Sequence, residues 1–266
     1  MLDEPYRWVE AVAHRREYLE DQLRVGSPVV GLDYDDGVLL LTVGGEQRKL
    51  FEIYDRIAFS AIGHPADLEK LRNGALDMAH TEGFSKSAED VTLQRLVHFG
   101  IAPMVKQGFD EVFRSPYTVK MLMAELGVEG APSLFYRIDY DGSFKSTHGC
   151  GVLGGTEEAE ETMRDVLGKA PTSENMSLEE AIVQALRTWT VGREVGDLKR
   201  RSGSEVPAFE NLDQGVLREV LERELEHGSP QAALLERSRH SRSKFRLMSD
   251  SELDPLVRDY LSSKDG

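Results

Sequence analysis

The stretch that decides the fold runs Ser27-Pro-Val-Val-Gly-Leu-Asp-Tyr34, Asp35-Asp-Gly37, Val38-Leu-Leu-Leu-Thr-Val43, Gly44-Gly45, then Arg48-Lys-Leu-Phe-Glu-Ile-Tyr-Asp-Arg-Ile-Ala-Phe-Ser-Ala-Ile-Gly63. Its apolar runs are short, rich in β-branched residues and bounded by Gly or Asp-Gly. That punctuation predicts consecutive hairpins of an antiparallel sheet. Upstream, Trp8, Val9, Val12, Leu19 and Leu23 recur at helical spacing from Arg7 to Val25, and Gly26 stops the helix before Pro28. Downstream, His64-Pro65-Ala66-Asp67 starts a helix whose apolar face is Leu68, Leu71, Ala75, Met78 and Ala79, ending near Glu82-Gly83-Phe84. Ser87-Ala-Glu-Asp90 is expected to cap a second, longer helix reaching about Phe113, kinked by Pro103, which lacks a backbone donor.

Further along, Val119–Leu126 and Leu134–Tyr140 read as strands, with Asp141-Gly142 as a hairpin turn. Gly151-Val-Leu-Gly-Gly155 reads as a strand end running into a helix at Thr156. Ser177-Leu-Glu-Glu180 is a capping box for a helix through Ile182, Ala185, Leu186 and Trp189. From about residue 191 to 229 the pattern changes: a basic knot at Lys199-Arg200-Arg201, a Gly/Ser turn, and an acidic helix from Gln214 to His227 with an apolar face. This is expected to be a surface excursion inserted before the next strand. Gln231-Ala-Ala-Leu-Leu-Glu-Arg-Ser, a basic turn at Arg239–Lys244, and a helix capped by Ser249-Asp-Ser-Glu252 complete the chain, with Ser262–Gly266 a fraying tail. Strands and helices grouped this way give the α+β class, read as one domain over residues 1–266.

Composition narrows the function. Among the 266 residues 40% are hydrophobic and 30% charged, the balance of a globular protein, and the net charge is −15. Phosphate binding requires a basic face, so nucleic acid is not expected as a partner. No apolar run approaches the roughly 20 residues needed to span a bilayer. The opening Met1-Leu-Asp-Glu-Pro-Tyr-Arg-Trp has acidic residues where a signal peptide needs basic and then apolar ones. One cysteine, Cys150, allows no intrachain disulfide. The expectation is a cytoplasmic protein without a cofactor.

This order of elements resembles the α-type subunit of the proteasome, most closely the bacterial, actinobacterial-like kind. The resemblance rests on the Val29-Val30-Gly31 opening of the sheet, the Asp36-Gly37 turn, and a lysine just before Leu50-Phe-Glu-Ile-Tyr-Asp-Arg56. It rests also on the block Phe135-Tyr-Arg-Ile-Asp-Tyr-Asp-Gly-Ser143, and covers roughly residues 5 to 190 and 230 to 261. It implies the N-terminal nucleophile hydrolase fold, an αββα sandwich of two stacked antiparallel sheets of four-stranded type between helices. It also implies heptameric rings stacked on β-type subunits that carry the threonine protease sites. Ring-shaped AAA ATPase activators dock on such rings and deliver unfolded or tagged proteins. In this likeness residues 7–25 are the helix that only α-type subunits carry, and Met1, Leu2, Asp3, Glu4, Pro5 and Tyr6 form the tail that gates the pore. Lys49 falls where α-type subunits hold the terminal carboxylate of a docked activator. A charge-assisted bond of that kind is worth about 1.5–3 kcal/mol and gains from repetition round a ring.

A second reading is enzymatic. Active members of this fold expose Thr, Ser or Cys as a new N-terminus whose amine serves as base. Gly26-Ser27 lies at the matching cleavage position and Lys49 at the matching catalytic lysine, so a self-processed serine hydrolase of β-type is the alternative. Three features oppose it. Pro28 follows the would-be nucleophile, Leu41-Thr42-Val43-Gly44 lacks the expected acidic partner, and the residues cleavage would discard form a regular amphipathic helix. Other candidates are weaker. Cys150 beside His148 reads as a strand cysteine. Gly154-Gly155-Thr156 opens a helix, but Glu157, Glu158, Glu160 and Glu161 would repel an anion. The seven histidines show no metal-ligand spacing. Arg237, Arg239, Arg242, Lys244 and Arg246 form a basic hairpin read as solvated turn charges.

Overall fold

The computed structural model describes residues 4–45, 47–111, 115–128, 131–169, 176–202 and 212–262. Two five-stranded antiparallel sheets carry the chain, each one strand wider than the four-stranded type expected. Helix α1 (Glu4–Leu23) leads into β1 (Val29–Tyr34) and β2 (Gly37–Gly44), which pair through the Asp35-Asp36 turn. Strands β3 (Leu50–Tyr54) and β4 (Ile57–Gly63) form the second hairpin. The two hairpins were expected in one sheet. Instead the chain crosses from one sheet to the other between Gly44 and Leu50, and this crossing creates the site described below.

After β4 come α2 (Pro65–Ser85), α3 (Leu93–Leu96), α4 (Ala102–Asp110), β5 (Val119–Glu125), β6 (Leu134–Ile138), β7 (Phe144–His148) and β8 (Cys150–Leu153). They are followed by α5 (Glu157–Gly168), α6 (Leu178–Ser202), α7 (Gln214–Leu225), β9 (Ser229–Glu236), β10 (Phe245–Leu247) and α8 (Asp250–Ser262). One sheet runs β10-β9-β2-β1-β8, the other β3-β4-β5-β6-β7. Every residue of β1 and β2 is buried because both faces of their sheet are covered. Val29, Val38 and Leu40 meet Leu122 and Phe135 between the sheets, while Val30, Leu39 and Leu41 meet Ile182, Leu186 and Trp189 on the helical side. The other sheet packs Phe59, Met121 and Met123 against α2, α3 and α4 through Leu71, Ala75, Leu96 and Val105.

Local chemistry sets the helix starts. His64 Nδ1 accepts from the Ala66 amide at 3.2 Å, ahead of Pro65 in the first turn. The Ser177–Glu180 box is reciprocal: Glu180 Oε2 accepts the Ser177 amide at 2.8 Å, and Ser177 Oγ accepts the Glu180 amide at 3.3 Å. Gly142 adopts φ +81° at the β6–β7 turn, where a Cβ would also lie 2.7 Å from Ala102 O.

Several expectations are corrected. Ser87 caps only a 3-10 turn (Ala88–Asp90) and makes no side-chain cap bond; Thr92 caps α3 instead. From Leu93 the helix runs without a break to Asp110 through a π-helical turn at Val97–Ile101, just before Pro103. The expected long helix therefore starts later than Ser87 and carries its irregularity next to the proline. Its expected end near Phe113 lies outside the described residues. Trp8 and Val9 are exposed, whereas Leu19 and Leu23 are fully buried and Val12 packs partly against the same cluster. The region from residue 191 onward is not a surface excursion where it is described. α6 continues without a break to Ser202, and α7 packs Leu217 against Val191 and Val195. The Gly/Ser turn at residues 203–204 and the end of the tail, 263–266, lie outside the described residues.

Candidate functional site

At the end of the sandwich where the chain crosses between the sheets, Lys49 lines an open cavity of about 680 Å³. Ser27, Val43, Gly44 and Gly45 form one wall, and Phe51, Ile62 and Leu68 an apolar one. Arg193 of α6 and Glu224, His227 and Gly228 from the end of α7 close the third side. The crossing segment is fixed by Gln231 of β9, whose Oε1 accepts the Lys49 amide at 3.0 Å while its Nε2 donates to Gln47 O at 3.1 Å. The lysine chain lies along Gly44; a Cβ there would sit 3.3 Å from Lys49 Cε and 3.4 Å from Nζ.

Among the described residues Lys49 Nζ has no carboxylate within ion-pair distance. Burial, and the Arg193 guanidinium beside it, push its ammonium below the usual lysine range, while Glu224 pulls the other way. A half-buried cation beside an apolar wall suits a carboxylate attached to an apolar group.

Ser27 shares this cavity, so the two residues of the enzymatic alternative are brought to one place. Its hydroxyl, however, is engaged: Oγ donates to Val43 O and accepts from Trp189 Nε1 at 3.3 Å, with Thr42 Oγ1 also at 3.3 Å. Thr42, at the strand where an acidic partner was sought, bonds Pro28 O at 2.7 Å. Cys150 is half-buried on β8, and burial together with the Asp33 carboxylate raises its thiol away from reactivity.

The gating residues divide. Met1, Leu2 and Asp3 lie outside the described residues, and the backbone of Glu4, Pro5 and Tyr6 is helical rather than a tail preceding the helix. Thr156 caps α5 by accepting the Ala159 amide at 3.2 Å. Glu160, one of the four glutamates expected to repel an anion at this helix start, is fully buried and pairs with Arg137, with Lys120 3.7 Å away. The basic hairpin is partly spent on neighbours, Arg242 on Asp55 at 2.9 Å and Lys244 on the carbonyls of Arg237 and Arg239. Arg193 and Glu224 were missed. Only the unbroken apolar spacing of α6 through Val191 and Val195 signals that this helix reaches the site.

Two stacked antiparallel sheets between helical layers, with a helix ahead of the first strand, define the N-terminal nucleophile hydrolase type of αββα sandwich. The family profile described as "Proteasome subunit" matches residues 23–195, and the chain belongs to that family. Among its relatives are proteins named "Proteasome subunit alpha" from actinobacteria. The chain is 33% identical to "Proteasome subunit alpha" of Streptomyces griseus subsp. griseus over 214 residues, covering 78% of this chain and 73% of the relative. With the protein of the same name from Streptomyces coelicolor identity is 30% over 266 residues, 97% of this chain and 90% of the relative. With that of Mycolicibacterium vanbaalenii it is 34% over 191 residues, 69% of this chain and 71% of the relative. Among the described residues no helix is long and apolar enough to cross a membrane.

Proposed function

We propose that this chain is the non-catalytic α-type subunit of a bacterial 20S proteasome core. Copies assemble as a heptameric outer ring on β-type rings that hold the threonine protease sites. Residues Met1–Tyr6 gate entry for unfolded or tagged proteins in the cytoplasm, and Lys49 receives the terminal carboxylate of a ring-shaped AAA ATPase activator. The observation that carries the reading is the contrast within one cavity. The Ser27 hydroxyl is committed to Val43 and Trp189, whereas the Lys49 ammonium is half-buried with no paired carboxylate among the described residues. A nucleophile is thus tied down where a docking cation is left available. The exposed Trp8 and Val9 on the first half of α1 suit a helix completed by a neighbouring copy.

Lys49→Ala tests the docking role. The variant is expected to assemble with β-type subunits as the parent does and to lose activator-stimulated protein degradation. Unchanged stimulation would reject Lys49 as the docking residue.

A further inference from the structure

Behind Lys49 the cavity holds a second cation and a carboxylate that belongs to the chain itself. Arg193 Nε lies 3.1 Å from Glu224 Oε2, and Arg193 Nη1 donates to Val25 O at 3.3 Å. The Arg193–Glu224 approach is an ion pair without hydrogen-bond alignment: the buried Nε–H has no hydrogen-bond partner among the described residues. Both side chains are largely enclosed, 17% and 21% exposed. The other oxygen of Glu224 is 3.3 Å from Arg223, a guanidinium already bonded to Asp197 at 2.7 Å. A guanidinium presents five N–H donors in a planar fork that matches a carboxylate, and among the described residues this one donates a hydrogen bond only to Val25 O.

We propose that Arg193 is a second cation of the carboxylate-docking site and that Glu224 is the chain's own carboxylate, occupying Arg193 until a docked terminus replaces it. The inference rests on the docking role proposed for Lys49. Glu224 stands on α7, beyond the residues matched by the family profile, so this chain sets the strength of its own docking site with a segment outside that match. Glu224 opposes an incoming anion by like charge and by competition for Arg193, and its removal strengthens docking.

The test uses assembled rings and a fluorescein-labelled octapeptide ending in Leu-Leu, as the free carboxylate and as the C-terminal amide, titrated by anisotropy. The carboxylate peptide is expected to bind the parent ring, with the amide at least about tenfold weaker. Arg193→Gln weakens the carboxylate peptide about tenfold and leaves the amide unchanged, with Arg193→Lys intermediate. Glu224→Gln tightens the carboxylate peptide several-fold, and the gain disappears when combined with Arg193→Gln. If Arg193→Gln and Arg193→Lys bind like the parent while Lys49→Ala abolishes binding, the second-cation role is overturned and the docking site stands. If Glu224→Gln weakens binding, Glu224 is a brace for Arg193 and the competitor role is overturned. If Lys49→Ala binds like the parent, or the parent does not distinguish carboxylate from amide, the docking role itself falls and this inference with it. Should Arg193→Gln fail to assemble, Glu224→Gln and Arg193→Lys decide the matter.

Discussion

The indole N–H of Trp189 donates to Ser27 Oγ at 3.3 Å, joining the middle of α6 to the turn between α1 and β1. Trp189 is fully buried, so its single donor needs an acceptor, and Ser27 supplies it. The serine that a processing enzyme would free is here a bonded part of the core.

Ser27→Ala is therefore expected to change stability and not maturation. The buried indole loses its acceptor, which costs about 1–3 kcal/mol. Both parent and variant are expected to keep residues 1–26, with the parent at 29.8 kDa by intact mass spectrometry. A parent chain found with Ser27 at a new N-terminus would overturn the non-catalytic assignment.

The Glu160 carboxylate is the deepest charge of an ion network, with Arg137 and Lys120 from the neighbouring sheet and the Gly154 amide at 3.3 Å. Glu160→Ala leaves two enclosed cations short of a partner and is expected to destabilise the chain by about 3–5 kcal/mol in denaturant unfolding. Glu158→Ala removes the more exposed pair with Lys199 (2.8 Å) and should cost about 1 kcal/mol or less. Equal losses for the two would refute a special role for burial.

Asp33 predicts a pH dependence. Burial raises its carboxyl above the ordinary aspartate range despite the Ser133 amide bond at 2.8 Å. The folded chain thus holds this proton more tightly than the unfolded one. Its ionisation penalty is absent below the unfolded pKa of about 3.9 and complete above the folded value. Asp33→Asn keeps an acceptor for Ser133 and removes the charge. The unfolding temperature of the variant relative to the parent should therefore rise between pH 4 and pH 7; a flat difference would show that the carboxyl is not strained by burial.

The gate is tested on the assembled core. Deleting residues 1–6 should raise hydrolysis of a small fluorogenic peptide without any activator, by opening the path to the β-type sites. No increase would remove these residues from the gating role.

Much of the architecture was legible because short β-branched runs with Asp-Gly and Gly-Gly turns leave few alternatives, and Ser177–Glu180 and Ser249–Glu252 announce their helices. Ser87 misled because its side chain engages Asp90 at 2.9 Å and leaves the helix start to Thr92. The four glutamates of α5 looked alike in sequence. Only the direction in which each projects from the helix separates Glu160, facing Arg137 and Lys120, from its exposed neighbours.

The sequence by itself determined the strands and most helix starts, since these depend on residue type, spacing and local hydrogen bonds, whereas Lys49 was singled out only by the family resemblance of the residues around it. What only the tertiary structure decided was the company Lys49 keeps. The crossing from one sheet to the other at Gly44–Leu50, and the return of α6 and α7 to the same end, bring Arg193 and Glu224 beside it from more than a hundred residues away in the chain. Long-range juxtaposition follows from burying two faces of each sheet at once, a collective requirement that no local run of residues encodes.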